Sequence, residues 1–223
     1  MSKIKTFYRR NLPHILPIGA TFFITFRLYG SLPVAVLKKI NDKYEEKIKK
    51  AYSDKEDFKQ ERLDAIELEY FEEFDDALHQ IKTGPKWLRE TNVAQILEKE
   101  LKKYDGVFYK LITYCIMPNH VHILIDTSIQ LSEDCDPDAE DFEYTQVDDI
   151  MRRIKGASAF RINRYLRRSG SFWESESYDS YMRSEKDVRK RVYYTIYNPV
   201  KAGLVLGWRD WPFTYVCFGK LSQ

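Results

Sequence analysis

Two histidines, a tyrosine and an asparagine have the types and spacing to do phosphoryl chemistry. His120 and His122 lie in the apolar run CIMPNHVHILID (Cys115–Asp126), in a chain with only 4 histidines. Alternate residues of a strand point to one face, so His120, His122 and Leu124 share a face, while Val121, Ile123 and Ile125 share an apolar face suited to a core. Two imidazoles about 7 Å apart along a strand can reach one metal ion. Alone, the pair does not fill a coordination sphere, and surface or hydrogen-bonded core histidines give the same pattern. Far downstream, Tyr194 and Asn198 are four apart, hence neighbours on one helical face. An asparagine carbonyl suits a hard cation, Mg²⁺ or Mn²⁺. A phenol beside such a site is placed to attack a phosphodiester while the metal offsets developing charge. Tyrosine, with an ordinary pKa near 10, needs help as a nucleophile, and Lys190 or Lys201 would favour the phenolate. The same residues also admit a structural reading: Tyr193, Tyr194 and Tyr197 as core aromatics, and Asn198-Pro199 as a helix end, since a residue before proline tends to leave the helical region.

The flanking pattern indicates what must position these groups. TFFITFRLY (Thr21–Tyr29) alternates as a strand, with Phe22, Ile24, Phe26 and Leu28 on one face. The sequence predicts that TFFITFR is the central strand. From Val34 to Ile81 two helical stripes follow, Leu37, Ile40, Tyr44, Ile48 and then Leu63, Ile66, Tyr70, Phe74, Ala77, Ile81. SDKE (Ser53–Glu56) fits a capping box, which predicts two antiparallel helices meeting near Asp54, closed by Gly84 and Pro85. A helix over 92–104 comes next. VFYKLITYCIM and HVHILID then pair as a hairpin about Pro118-Asn119. Helical spacing returns over 145–168, SYDSYMRS is a short strand, and Ser184 caps a last helix. With the charged hairpin at about 34–83 set aside, the order is that of an α+β, ferredoxin-like antiparallel sheet with helices. The reading is one domain, 1–223, carrying a helical-hairpin insertion.

Composition narrows the class. A hydrophobic content of 43% supports a real core. No apolar run approaches the roughly 20 residues of a membrane helix, and the basic start of the chain lacks a signal-peptide pattern. Cys115, Cys135 and Cys217 have no metal or redox spacing, so a reducing cytoplasm (a prokaryotic cytosol or nucleoid) is expected. Net charge is +2, but the distribution is uneven. The stretch 133–149 is acidic without Lys or Arg, and 152–168 is basic without Asp or Glu. A phosphate-bearing partner and a solvated helix face both account for that segment.

MPNHVHILI followed much later by YNPVKAGLV resembles the REP-associated tyrosine transposases, single-strand DNA transposases of the His-hydrophobic-His (HUH) nuclease superfamily. GATFFITFRL, GPKWL, IKGASAFRINR, GSFWESESYD and DWPF keep the family order, and the likeness covers most of the chain outside 34–81. The resemblance implies an HUH-type nuclease domain that cuts single-stranded DNA next to a hairpin. It places the metal on His120 and His122 with Asn198 as the third polar group, and the nucleophile on Tyr194, four residues before the asparagine of the NPV motif. Tyr197 lies nearer the Tyr194–Asn198 face than Tyr193 and is the backup candidate. By analogy Tyr194 becomes linked to a 5′ phosphate and releases a free 3′-OH, and another 3′-OH rejoins the strands. Arg152, Arg153, Lys155, Arg161 and Arg164 are then expected on the phosphates of the hairpin stem, with Arg27 and Lys201 as further contacts. Trp208 and Trp211 either stack on bases or pack the tail. The resemblance leaves open whether the protein is a homodimer that exchanges its tyrosine helix. Rival functions are a domesticated, non-catalytic nucleic-acid-binding module and, less favoured, a metal-dependent hydrolase. The hydrolase would need further ligands, and only His14 and His79 remain among the histidines.

Overall fold

The computed structural model describes residues 7–9, 13–53, 59–132, 136 and 142–217. The chain divides into two compact units, Gly30–Pro85 and the chain on either side of it.

The first unit is built on a five-stranded antiparallel sheet. A small ribbon, β1 (Phe7–Arg9) with β2 (Pro13–Ile15), precedes β3 (Thr21–Arg27). The second unit supplies α1 (Val34–Ser53) and α2 (Lys59–Gln80). Then come α3 (Thr91–Lys103), β4 (Lys110–Ile116), β5 (His120–Asp126), α4 (Val147–Tyr165), β6 (Tyr178–Tyr181), α5 (Glu185–Lys201) and β7 (Thr214–Val216). The spatial order is β6-β3-β5-β4-β7. Without its outer β7, this is the split β-α-β sheet of the ferredoxin-like kind, an α+β fold.

Period-two patterning sorts the two faces of the sheet. Phe22, Ile24 and Phe26 of β3, Tyr114 and Ile116 of β4, and Val121, Ile123 and Ile125 of β5 join one buried cluster with α3 and α4. Leu97 and Leu101 of α3 and Ile150, Ile154 and Ile162 of α4 close it. The residues between them, including Phe23, Thr25 and His122, turn to the opposite face, where α5 crosses. The expectation that TFFITFR is central needs correction: β5 holds the middle place and β3 lies between it and β6. The alternation of β3 marks one core face, Phe22, Ile24 and Phe26, but not which place in the sheet the strand takes.

The second unit is a helical hairpin. Tyr44 of α1 and Tyr70 of α2 face each other with ring centroids 4.9 Å apart, and Tyr70 donates to Asn41 Oδ1 at 3.0 Å. Lys43 and Lys47 pair with Glu69, and Lys43 also with Glu73, so charges of opposite sign flank the apolar seam. These pairings run down one helix and up the other, as an antiparallel pair requires. The ends of the unit meet: a Cβ on Gly84, whose φ is +89°, would come within 3.0 Å of the Gly30 carbonyl oxygen. Of the capping box expected at Ser53–Glu56, Ser53 ends α1 and donates to Lys50 O at 2.8 Å, while 54–56 lie outside the described residues. Most of the acidic 133–141 stretch, Cys135 included, lies outside them as well.

Candidate active site

The two histidines point where strand alternation sends them, away from the α3/α4 core. The register of β3 against β5 sets Thr25 opposite His122 and Arg27 opposite His120. Both imidazoles are fully buried, and their Nε2 atoms face each other at 3.1 Å. Each Nδ1 has its own partner: Asn119 Oδ1 at 2.7 Å for His120, and Thr25 Oγ1 at 2.7 Å for His122. The Phe23 ring stacks on His122 at 5.6 Å, inclined by 14°.

The last helix brings the phenol. Ser184 caps α5 by accepting from Asp187 N at 3.2 Å, and Glu185 and Asp187 in its first turn suit the positive end of the helix dipole. The helix does not end at Asn198. It runs through Pro199 to Lys201. Proline in the final turn removes one hydrogen bond, but its fixed φ is helical, and the Asn198 carbonyl still accepts from Ala202 N at 2.9 Å. This phase turns Tyr194 inward. Its ring meets His122 edge to face at 5.6 Å and Phe23 at 6.0 Å. Asn198, one turn on, is fully buried. Tyr193 and Tyr197 turn outward together, 56% and 47% exposed, and their rings stack on each other at 6.4 Å. Tyr197 therefore sides with Tyr193 rather than with the inward face.

Two cations stand over the Tyr194 ring. The Arg191 guanidinium is 5.8 Å from its centroid and 4.7 Å from that of Phe23, and Lys201 Nζ is 5.5 Å from Tyr194. Sequence reasoning passed over Arg191, although its spacing of three from Tyr194 already put both on one helical face. It also passed over Thr25 and Asn119. Asn119 is adjacent to His120 in the motif, whereas Thr25 reaches its place only through the register of strands 97 residues apart.

The donor set fits a divalent metal. Two cis ligands at bond lengths of roughly 2.0–2.2 Å sit about 3 Å apart, which is the separation of the two Nε2 atoms. Two imidazoles with an amide oxygen would make a nitrogen and oxygen site rather than a thiolate one.

No family model matches the chain. It is 30% identical over 106 residues to a protein of Haemophilus influenzae (strain ATCC 51907 / DSM 11121 / KW20 / Rd) named "Putative REP-associated tyrosine transposase". That match covers 48% of this chain and 58% of the relative, so the chain spans less than two thirds of the relative's length. A solved structure, described as a REP-associated tyrosine transposase bound to a REP hairpin, aligns over 96% of this chain and 82% of its own. The TM-score is 0.50. The resemblance read from the motifs is borne out. At 20% identity the structural likeness establishes the fold, the five-stranded α+β sheet.

The basic residues that the transposase resemblance associates with DNA occupy different settings. Arg27 is buried and pairs with Glu174 at 3.1 Å, so its charge is answered inside the protein. On α4, Arg161 pairs with the fully buried Glu100, and Arg152 pairs with Asp149 one turn back. Lys155 donates to Ser175 O at 3.1 Å and Ser177 Oγ at 3.2 Å. Arg153 stands over the Phe108 ring at 5.4 Å, and Arg164 is exposed. All five α4 residues belong to the opposite side of the sheet from the imidazoles. Of the expected contacts, Lys201 stands at Tyr194. Trp211 packs the tail, its Nε1 donating to Ile116 O at 2.9 Å. Among the described residues no helix is long and apolar enough to cross a membrane.

Proposed function

We propose that this chain is a tyrosine transposase-type nuclease and strand transferase that cuts single-stranded DNA beside a hairpin, such as the end of a REP element. The observation that carries the reading is the contact of the Tyr194 ring with His122, which brings a phenol to a converging imidazole pair from a distant helix. The names of the relative and of the structural neighbour support the same substrate class.

In this reading Tyr194 Oη attacks a backbone phosphorus. A tyrosine–5′-phosphate bond forms, the bond to the 3′ oxygen breaks, and that oxygen leaves as a 3′-OH carrying the phenol's proton. A second 3′-OH reverses the step and joins strands, and the phosphotyrosine keeps the bond energy between the two. His120, His122 and Asn198 would hold a divalent metal, Mg²⁺ or Mn²⁺, which supplies positive charge to the phosphodiester oxygens when bound. Arg191 and Lys201 add fixed charge on the phenol's side. Tyr194 meets a histidine of its own chain, which supports a site completed within one subunit. The hairpin Gly30–Pro85 is an insertion into a single nuclease domain. The exposed arginines of α4, Arg152, Arg153 and Arg164, serve the phosphates of the DNA stem.

A synthetic single-stranded hairpin oligonucleotide with Mn²⁺ tests this. The expected result is a protein–DNA band that survives denaturation and disappears in Tyr194→Phe. A salt-sensitive mobility shift without an adduct would make the chain a binding module, and cut DNA without an adduct would make it a hydrolase.

A further inference from the structure

We propose that Asn119 and Thr25 are the positioning residues of the imidazole pair: each holds one Nδ1, and together they turn both Nε2 atoms toward the same point. The inference rests on the proposed metal site and adds to it two residues from outside the coordinating set.

Asn119 Oδ1 lies 2.7 Å from His120 Nδ1. An amide oxygen only accepts, so Nδ1 of His120 carries the ring proton and its Nε2 carries the lone pair, which is the form that binds a cation. Asn119 is itself fixed. It is 3% exposed, and its carbonyl accepts from Leu28 N at 2.9 Å, while the neighbouring Pro118 carbonyl accepts from Leu88 N at 3.2 Å. The tight turn between β4 and β5 is thereby tied to two other segments, and the amide has little freedom to leave the ring.

Thr25 does the same for His122 from the adjacent strand. Its Oγ1 is 2.7 Å from Nδ1, and both residues are buried. The hydroxyl can accept a hydrogen bond from Nδ1–H, which puts the ring's lone pair on Nε2 of His122, facing Nε2 of His120 at 3.1 Å. The strand register makes this contact. A slip of one residue would put Ile24 or Phe26 opposite His122, with no hydroxyl and the wrong face presented. Phe23 closes the flat side of the His122 ring, so the ring is held in its plane and at its edge. Partners of this kind, outside the coordinating set, set metal affinity by about 10–100-fold where they have been removed from other sites.

The test has two arms. In the wild-type protein, nitrogen chemical shifts of the histidine rings should show the His120 proton on Nδ1. The opposite tautomer for His120 would overturn the inference without any substitution. In the second arm, Mn²⁺ affinity is measured by titrating the free ion's electron-spin signal. Asn119→Leu and Thr25→Val should weaken Mn²⁺ binding by about 10-fold or more, whereas Asn119→Asp and Thr25→Ser, which keep an acceptor, should stay closer to wild type. Mn²⁺ affinities for Asn119→Leu and Thr25→Val within twofold of wild type would overturn it. Folding is followed by a single cooperative thermal transition and by hairpin-DNA binding in chelator, both of which each variant should retain. His120→Ala and His122→Ala separate the two claims. If they leave Mn²⁺ binding intact, the metal site itself is wrong and the positioning roles fall with it. If they abolish binding while Asn119→Leu and Thr25→Val do not alter it, only the positioning roles fail.

Discussion

The ring of Tyr194 meets the ring of His122 edge to face, with centroids 5.6 Å apart and planes at 81°. Three tyrosines crowd this part of α5, and helical phase separates them: Tyr194 faces the sheet, while Tyr193 and Tyr197 are half exposed. Tyr194→Phe should therefore lower adduct formation by more than about 10³-fold, because the nucleophilic oxygen is gone while the ring remains. Tyr193→Phe and Tyr197→Phe should stay within about threefold of wild type, each reporting a hydroxyl that does not face the site. Quantifying the denaturation-resistant band for all three variants checks the assignment, and a surviving adduct in Tyr194→Phe would sink it.

Arg191 stands between Phe23 and Tyr194, 4.7 Å and 5.8 Å from the two ring centroids. In the proposed reaction, a guanidinium there adds positive charge beside the attacking phenol. Arg191→Gln should slow single-turnover cleavage by about 10–100-fold with a smaller change in DNA affinity. Arg191→Lys should recover only part of the rate, because an ammonium lacks the planar fork. Equal losses in rate and affinity would instead make Arg191 a binding residue.

The pair Arg161–Glu100 joins α4 to α3, with Glu100 fully buried and Arg161 half exposed. Removing the cation leaves a carboxylate in the interior, so Arg161→Ala should cost about 2–3 kcal/mol of stability, below the range for fully buried pairs because Arg161 reaches solvent. The double variant Arg161→Leu with Glu100→Leu should recover most of that loss. Urea midpoints at constant slope provide the measurement. If Arg161→Ala is as stable as wild type and weakens only DNA binding, the residue serves the nucleic acid rather than the fold.

Alkaline stability should depend on Tyr114. Burial, followed by its hydrogen bond to Glu98 at 2.5 Å, pushes its pKa well above the ordinary value near 10. Burial opposes the charge on Glu98, but its hydrogen bonds to Lys102 and Tyr114 outweigh that and hold its pKa low. A phenol with a raised pKa in the folded state contributes stability in full below about pH 10, and loses that contribution as pH rises above it, because the unfolded chain ionises first. The melting temperature should therefore fall above about pH 10, and less steeply in Tyr114→Phe. Tyr109, also raised by burial, sets a similar trend of its own, so the Tyr114→Phe effect should be partial.

The elements were legible because their signals are local. Alternation in TFFITFR and HVHILID reads directly as strands with one core face, and Ser184 reads as a cap because its partner, Asp187, is three residues away. Helical spacing of four put Tyr194 and Asn198 on one side of α5. Less local questions were less legible. A proline after Asn198 reads as a stop, yet so near the end of a helix it removes a single hydrogen bond and the helix continues. By angle alone Tyr197 lies nearer the inward face than Tyr193, but its ring packs on Tyr193 and turns outward. The arginines of α4 read as one basic face, although Arg161 answers a buried glutamate from α3.

The sequence by itself determined which residues are candidates for chemistry and which face of its own element each one takes, since alternation and helical pitch are properties of a few consecutive residues. Only the tertiary structure decided that the faces of β5 and α5 meet, that Thr25 is the hydroxyl at His122, and that β5 rather than β3 is the middle strand. Those facts depend on register and packing between segments far apart in the chain, and such pairings are chosen by the burial of whole faces rather than by any single stretch of residues.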